Sequence, residues 1–192
     1  MLLINLNEFK ETIRHKDSKD GISEGCSFLA FKIDDNGLSQ HLGFKNGQIN
    51  QTDYFLINNE LTKVQFIELT DLSEHINECI FAESMLRSNT DSFSTILNKS
   101  PKHAVKLVNS KIWSEVLGEL KNKWMGSIAV LERYCRREQY EQDLQYSLLI
   151  VLKNNADSRQ IESLAFKLSG MMGKIRICNT SSIQSTLLLK LV

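Results

Sequence analysis

Short stretches of apolar, β-branched and aromatic residues recur along the chain and predict β-strands. They cover residues 26–33, 54–57, 64–69, 146–152 and 174–178, and a last one covers 186–191. Asp34-Asp35-Asn36-Gly37 supplies a turn after the first strand. Five residues separate the second strand from the third, from Asn58 to Thr62, which is short enough for a hairpin loop.

Apolar residues at spacings of three and four predict helices between these strands. Leu6, Phe9 and Ile13 predict a helix over residues 5–16, and further helices are expected over 73–87, 103–137 and 158–171. Ser73 is a suitable N-cap for the second of these, and Asp157 or Ser158 for the last. The Ser/Thr/Asn-rich stretch 88–100 is expected to be a loop.

The order of these elements predicts an α/β fold with a mixed central sheet flanked by helices. Near the end of the chain, a strand, a helix and a second strand follow one another, which implies parallel pairing. Apolar residues make up 42% of the 192 residues and charged residues 24%, the usual balance for a chain with a buried core. With one proline and no Gly/Ser-rich linker, residues 1–192 are expected to form a single domain with a helical insertion at about 88–138.

Charge is unevenly distributed although the net charge is zero. Residues 1–98 contain 8 Lys/Arg and 15 Asp/Glu, a balance of −7, whereas residues 99–137 contain 9 and 3, a balance of +6. The basic segment is a candidate surface for the phosphates of DNA or RNA, through Lys121, Lys123, Arg133, Arg136 and Arg137. Alternatively, the same basic residues lie on a solvent-exposed helix face, or on a face that docks on the acidic half of a second copy of the chain.

The lengths of the apolar runs and the spacing of the cysteines indicate the compartment and bear on metal binding. The longest apolar runs are too short to cross a bilayer, and the first residues lack the basic-then-apolar layout of a secretion signal, so a cytoplasmic location with no membrane contact is expected. The four cysteines are widely spaced, which is typical of incidental thiols in a reducing compartment rather than of a zinc site.

Two carboxylates flank the predicted hairpin. Glu68 shares a strand face with Val64 and Phe66, where a lone carboxylate is costly to bury. Hairpin pairing brings Asp53 across from Glu68, and two carboxylates at strand ends are a natural site for a hard cation such as Mg²⁺, completed by the carbonyl of Leu69. The alternative is that both acids only satisfy turn amides or a polar network.

The run from Asp53 through the hairpin to Ile67-Glu68-Leu69-Thr70, followed by a helix, resembles the PD-(D/E)XK nuclease superfamily. The resemblance implies a restriction-endonuclease-like core in which Asp53 and Glu68 hold Mg²⁺. Thr70 stands where the superfamily has a lysine that helps to activate the attacking water. Threonine supplies no cation, so a lysine from elsewhere, such as Lys99 or Lys102, would have to replace it.

Two functional hypotheses from different classes follow. The first is a nuclease-like domain in nucleic-acid metabolism or anti-phage defence, either active with Mg²⁺ or degenerate and acting as a nucleic-acid-binding subunit. The second is a non-enzymatic scaffold or regulatory protein that self-associates or binds a protein through the helix carrying Trp113 and Trp124. That helix has an apolar stripe at spacings of three and four, which is typical of a core or of an interface.

Overall fold

Six β-strands form one mixed sheet in the computed structural model, which describes residues 4–15, 24–34, 36–45, 47–141, 143–170 and 173–189. The strands are β1 (Lys10–Arg14), β2 (Gly25–Lys32), β3 (Tyr54–Ile57), β4 (Lys63–Thr70), β5 (Gln145–Leu152) and β6 (Lys174–Asn179), and they lie in chain order across the sheet. β1 to β4 form an antiparallel meander, and β5 and β6 add to it in parallel.

Helices connect and cover these strands. They are α1 (Leu38–His41), α2 (Ser73–Ser88), α3 (Thr90–Leu97), α4 (Pro101–Ile112), α5 (Ser114–Arg137), α6 (Ser158–Leu168) and α7 (Ile183–Thr186), with short 3₁₀ turns at Leu6–Phe9 and Thr180–Ser182. The predicted α/β class is therefore confirmed, including the hairpin between β3 and β4 and the parallel pairing of β5 with β6. Within the described ranges, no helix is both long and apolar enough to span a membrane.

The two faces of the sheet support two apolar cores. Side chains alternate along β4, so Val64 and Phe66 enter the larger core together with residues of α2, α5 and α6, while Ile67 enters the smaller core on the opposite face. Ile13 and Ile183 help to build that smaller core. Both faces of the central strands are covered, which explains why β5 is a nearly continuous apolar run.

The predicted helix over residues 5–16 is wrong. The chain makes one 3₁₀ turn and then becomes strand β1, which pairs with β2 so that Lys10 faces Phe31. Ile13 is fully buried in the smaller core. Helical spacing of three apolar residues did not distinguish a short turn followed by a strand from one helix, because pairing with β2 decided the conformation. Lys16 lies outside the described residues.

The predicted loop over residues 88–100 is also largely wrong, since Thr90–Leu97 forms α3. Its hydroxyl groups bond to backbone carbonyls inside or next to the helix, as Thr95 does to Asp91 at 3.0 Å and Ser94 to Lys99 at 2.7 Å. Ser and Thr therefore do not interrupt this helix.

Three helix and strand boundaries also shift. Ser73 is the first residue of α2 rather than its cap, and α6 ends at Leu168. The segment predicted as a strand from 186 begins instead with the end of α7, and its residues 190 and 191 are outside the described part of the chain.

Candidate functional site

Asp53 and Glu68 lie on neighbouring strands of the sheet. Tyr54 pairs with Ile67 in the β3–β4 register, so Asp53, one residue before Tyr54, is placed opposite Glu68. The carboxylate of Asp53 accepts a hydrogen bond from the backbone N–H of Leu69 at 2.7 Å, and its carbonyl accepts one from Ile33 at 3.0 Å. These bonds hold Asp53 just before the start of β3, and the hairpin register places it beside Glu68 on the neighbouring strand.

Glu68 is a buried carboxylate, with only 1% of its surface exposed. Burial raises the pKa of Glu68 well above its ordinary value, the nearby negative charge of Asp53 raises it further, and Lys123 opposes both effects. Oxygen Oε2 of Glu68 is buried and has no hydrogen-bond partner among the residues that the structure describes. A buried carboxylate oxygen without a donor is costly, and it is suited to a ligand that supplies positive charge.

Lys123 brings that charge to the other oxygen of Glu68. Its ammonium group extends from α5 and lies 2.5 Å from Oε1 of Glu68 and 3.2 Å from Oε1 of Glu119. Burial lowers the pKa of Lys123, but the carboxylates of Glu68, Glu119 and Asp53 together raise it above its ordinary value. The site therefore contains Asp53 just before β3, Glu68 on β4, and Lys123 with its neighbour Glu119 on α5.

Sequence reasoning assigned Lys123 to the nucleic-acid surface and missed its contact with Glu68. The structure instead engages the ammonium of Lys123 with carboxylates. The one local signal was Glu119, four residues earlier on the same helix, because residues at that spacing are neighbours. Glu68 is 55 residues away in the chain, and no periodicity indicates such a pairing.

Lys99 and Lys102, the examples named for a lysine that would replace the missing one, do not line the cleft beside Asp53. Lys99 lines a separate hollow with His103 and Lys106, and Lys102 is exposed on α4. Thr70 is a buried residue at the end of β4 and faces Leu152 in the β4–β5 register.

A solvent-accessible cleft reaches the site beside Asp53. Asp53 lines a cleft of about 470 Å³ beside Tyr54, at the end of β2 and along β1. Arg14 and Lys32 line the same cleft, and Lys32 is paired with Glu11 at 3.1 Å. A solvent-borne ion or ligand can therefore approach Asp53, whereas Glu68 is enclosed.

The remaining basic residues of the predicted nucleic-acid surface are solvent-exposed on α5. They are Lys121, Arg133, Arg136 and Arg137. The guanidinium group of Arg133 lies 4.7 Å from the ring centre of Phe44, a cation–π contact. Nucleic-acid contact by these residues remains a prediction.

The tryptophans that were expected to offer a partner surface are buried in this chain. Trp113 is 1% exposed and Trp124 is 6% exposed. Trp124 packs edge-on against Phe66 and Tyr146, with ring centres 5.7 and 6.5 Å away. The apolar stripe of α5 therefore covers the sheet, and these two side chains are not available for self-association or for a protein partner.

The carboxylate oxygens of the site are of the chemical type that hard divalent cations prefer. Among the described residues, no group of three or more His, Cys, Asp or Glu side chains is arranged to hold a metal. Mg²⁺, however, is commonly held by one or two carboxylates while it keeps several waters. Oε2 of Glu68 and the carboxylate of Asp53 are oxygen donors of this kind, on neighbouring strands of the hairpin. Comparison with family models, curated proteins and solved structures found no significant match, so function rests on this geometry.

Proposed function

We propose that this chain is a nuclease-like domain that acts on phosphodiester bonds of DNA or RNA with Mg²⁺ or a similar cation. The observation that carries the proposal is the contact between Lys123 and Glu68 at 2.5 Å, next to Asp53. The ammonium group of Lys123 supplies the positive charge that Thr70 lacks. The resemblance of residues 53–70 to the PD-(D/E)XK superfamily supports the same proposal and implies that the sheet and its helices form a restriction-endonuclease-like core.

The roles of the side chains follow from their positions. Asp53 and Oε2 of Glu68 would hold the cation with oxygen ligands, and the carbonyl of Leu69 is the third candidate ligand. When bound, the cation would stabilise the negative charge that develops on the scissile phosphate. Lys123, held between Glu68 and Glu119, supplies a fixed positive charge and a hydrogen-bond donor that orients a water or a phosphate oxygen.

The decisive test compares purified wild-type protein with three variants on DNA and RNA substrates, each with Mg²⁺ and with Mn²⁺. Glu68→Ala and Lys123→Met alter the site, and Lys45→Met removes an exposed lysine that lies outside the predicted nucleic-acid surface. We expect the first two variants to lose cutting by at least about a hundredfold, the usual effect of removing one charge-stabilising group, and the third to cut like wild type. Equal activity in wild type and Glu68→Ala would refute the catalytic assignment.

A protein that cuts neither substrate would leave two alternatives that binding measurements separate. Salt-dependent binding of nucleic acid, reduced by charge removal at Arg133, Arg136 or Arg137, would indicate a degenerate nucleic-acid-binding subunit. Absence of such binding would favour the scaffold hypothesis, whose partner surface would have to lie outside Trp113 and Trp124 because both are buried.

A further inference from the structure

Helix α5 approaches the segment before β3 unusually closely. A Cβ atom at Gly126 would lie 1.7 Å from the carbonyl oxygen of Asn50 and 3.0 Å from a side-chain carbon of Ile49. Two backbones meet here with no room for a side chain. Any residue larger than glycine would force α5 away from this segment.

One residue further along, a hydroxyl group joins the same two elements. Ser127 Oγ accepts a hydrogen bond from the backbone N–H of Thr52 at 2.8 Å and lies 2.9 Å from the hydroxyl oxygen of Thr52. The Ser127 hydroxyl also donates to the carbonyl of Lys123 at 2.8 Å. Both Ser127 and Thr52 are fully buried, so these bonds are shielded from water.

Each residue bonded by this hydroxyl lies at or beside a site residue. Thr52 immediately precedes Asp53, and Lys123 itself extends to Glu68. We propose that Gly126 and Ser127 are positioning residues: the close contact at Gly126 and the hydroxyl of Ser127 set the register of α5 so that the ammonium of Lys123 meets Glu68 beside Asp53. The inference deepens the proposed function, on which it rests for what the site does.

The placement of Lys123 can be measured without any assumption about activity. The full chain is labelled with an amine-reactive acetylating reagent, and the ratio of modification at Lys123 to modification at the exposed Lys121 is read by mass spectrometry. In Ser127→Ala we expect this ratio to rise about twofold or more, because the lysine side chain leaves its 25% exposed position against Glu68. Ser110→Ala is the matched control, since Ser110 makes the same kind of bond to a helix carbonyl but is exposed.

An unchanged ratio in folded Ser127→Ala would overturn the inference. If Ser127→Ala does not fold, Thr52→Val decides the question. Valine has nearly the shape of threonine and keeps the backbone bond to Ser127, but it lacks the hydroxyl, so the ratio should still rise. An unchanged ratio in Thr52→Val would then reject the positioning role.

Cutting assays on the same variants separate this inference from the proposed function. If wild type cuts, Ser127→Ala should lower kcat with little change in KM, because the variant misplaces a charge without removing a substrate contact. If wild type does not cut but the labelling ratio rises, the proposed function fails while the positioning role stands. If wild type cuts and Ser127→Ala changes neither the ratio nor kcat, the positioning role fails alone.

Discussion

Replacing Gly126 with alanine should destabilise the protein strongly. The new Cβ would lie 1.7 Å from Asn50 O, whereas heavy atoms in contact are normally about 3.5 Å apart. The obstacle is a backbone atom, so no side-chain rotation relieves the clash. The two segments would have to separate by nearly 2 Å, about the difference between these distances.

The magnitude combines three contributions. Overpacking a buried site costs about 3 kcal/mol at the upper end of its usual range. Separation also weakens the bonds between Ser127 and Thr52, each worth about 1 kcal/mol. Alanine is favoured over glycine in a helix by about 1 kcal/mol, which offsets part of the loss. We therefore expect the free energy of unfolding to fall by about 3 to 4 kcal/mol, lowering Tm by roughly 10 °C.

Gly118 on the same helix is the matched control. Apart from the backbone of its own helix, a Cβ there meets no atom of the described residues within 4 Å. Only the helix preference of alanine therefore acts, and Gly118→Ala should stabilise the protein by up to about 1 kcal/mol. Urea unfolding followed by far-ultraviolet circular dichroism measures both variants. A Gly126→Ala protein as stable as wild type, or changes of the same sign in both variants, would refute the close docking of α5.

Three other changes test separate features of the fold and site. Asp157→Ala removes a capping box at the start of α6 and should cost about 1 kcal/mol in thermal or urea unfolding, while Asp157→Asn should keep most of it; equal losses in both would contradict the capping role. Lys123→Met leaves Glu68 buried without its cation and should lower the free energy of unfolding by about 3 kcal/mol. Adding Glu68→Gln should recover part of this loss in a double-mutant cycle, whereas strictly additive losses would argue against the ion pair. Burial lowers the pKa of His15 below its ordinary 6.5, so just below that pH the unfolded chain binds more protons than the folded chain. The free energy of unfolding should therefore fall as the pH decreases through 6.5, and it should fall less steeply in His15→Gln. An identical pH profile in that variant would exclude His15 as the cause.

Sequence patterns identified the elements whose side chains are buried on both faces. β3, β4 and β5 are apolar runs bounded by turn residues, and in the structure they form the centre of the sheet. The hairpin between β3 and β4 has a short loop, so its register, and with it the meeting of Asp53 and Glu68, followed from local spacing alone.

The same patterns failed where conformation depends on a distant partner. Leu6, Phe9 and Ile13 have a spacing compatible with a helix, yet pairing with β2 makes residues 10–14 a strand. The α3 segment buries none of its residues, and its Ser/Thr-rich composition outweighed the helical spacing of Phe93, Ile96 and Leu97 in the prediction. In both cases the local preference was weak, and a neighbouring element determined the outcome.

What the sequence by itself determined about this chain is its α/β class, its central strands and the pair of acids on the hairpin. Only the tertiary structure decided which lysine joins them and that Trp113 and Trp124 are core residues. Lys123 reaches Glu68 across 55 residues because α5 docks on the segment before β3 through Gly126 and Ser127. A contact that depends on how two elements dock cannot be read from the sequence, because the apolar pattern of each element is the same whether or not the two elements are in contact.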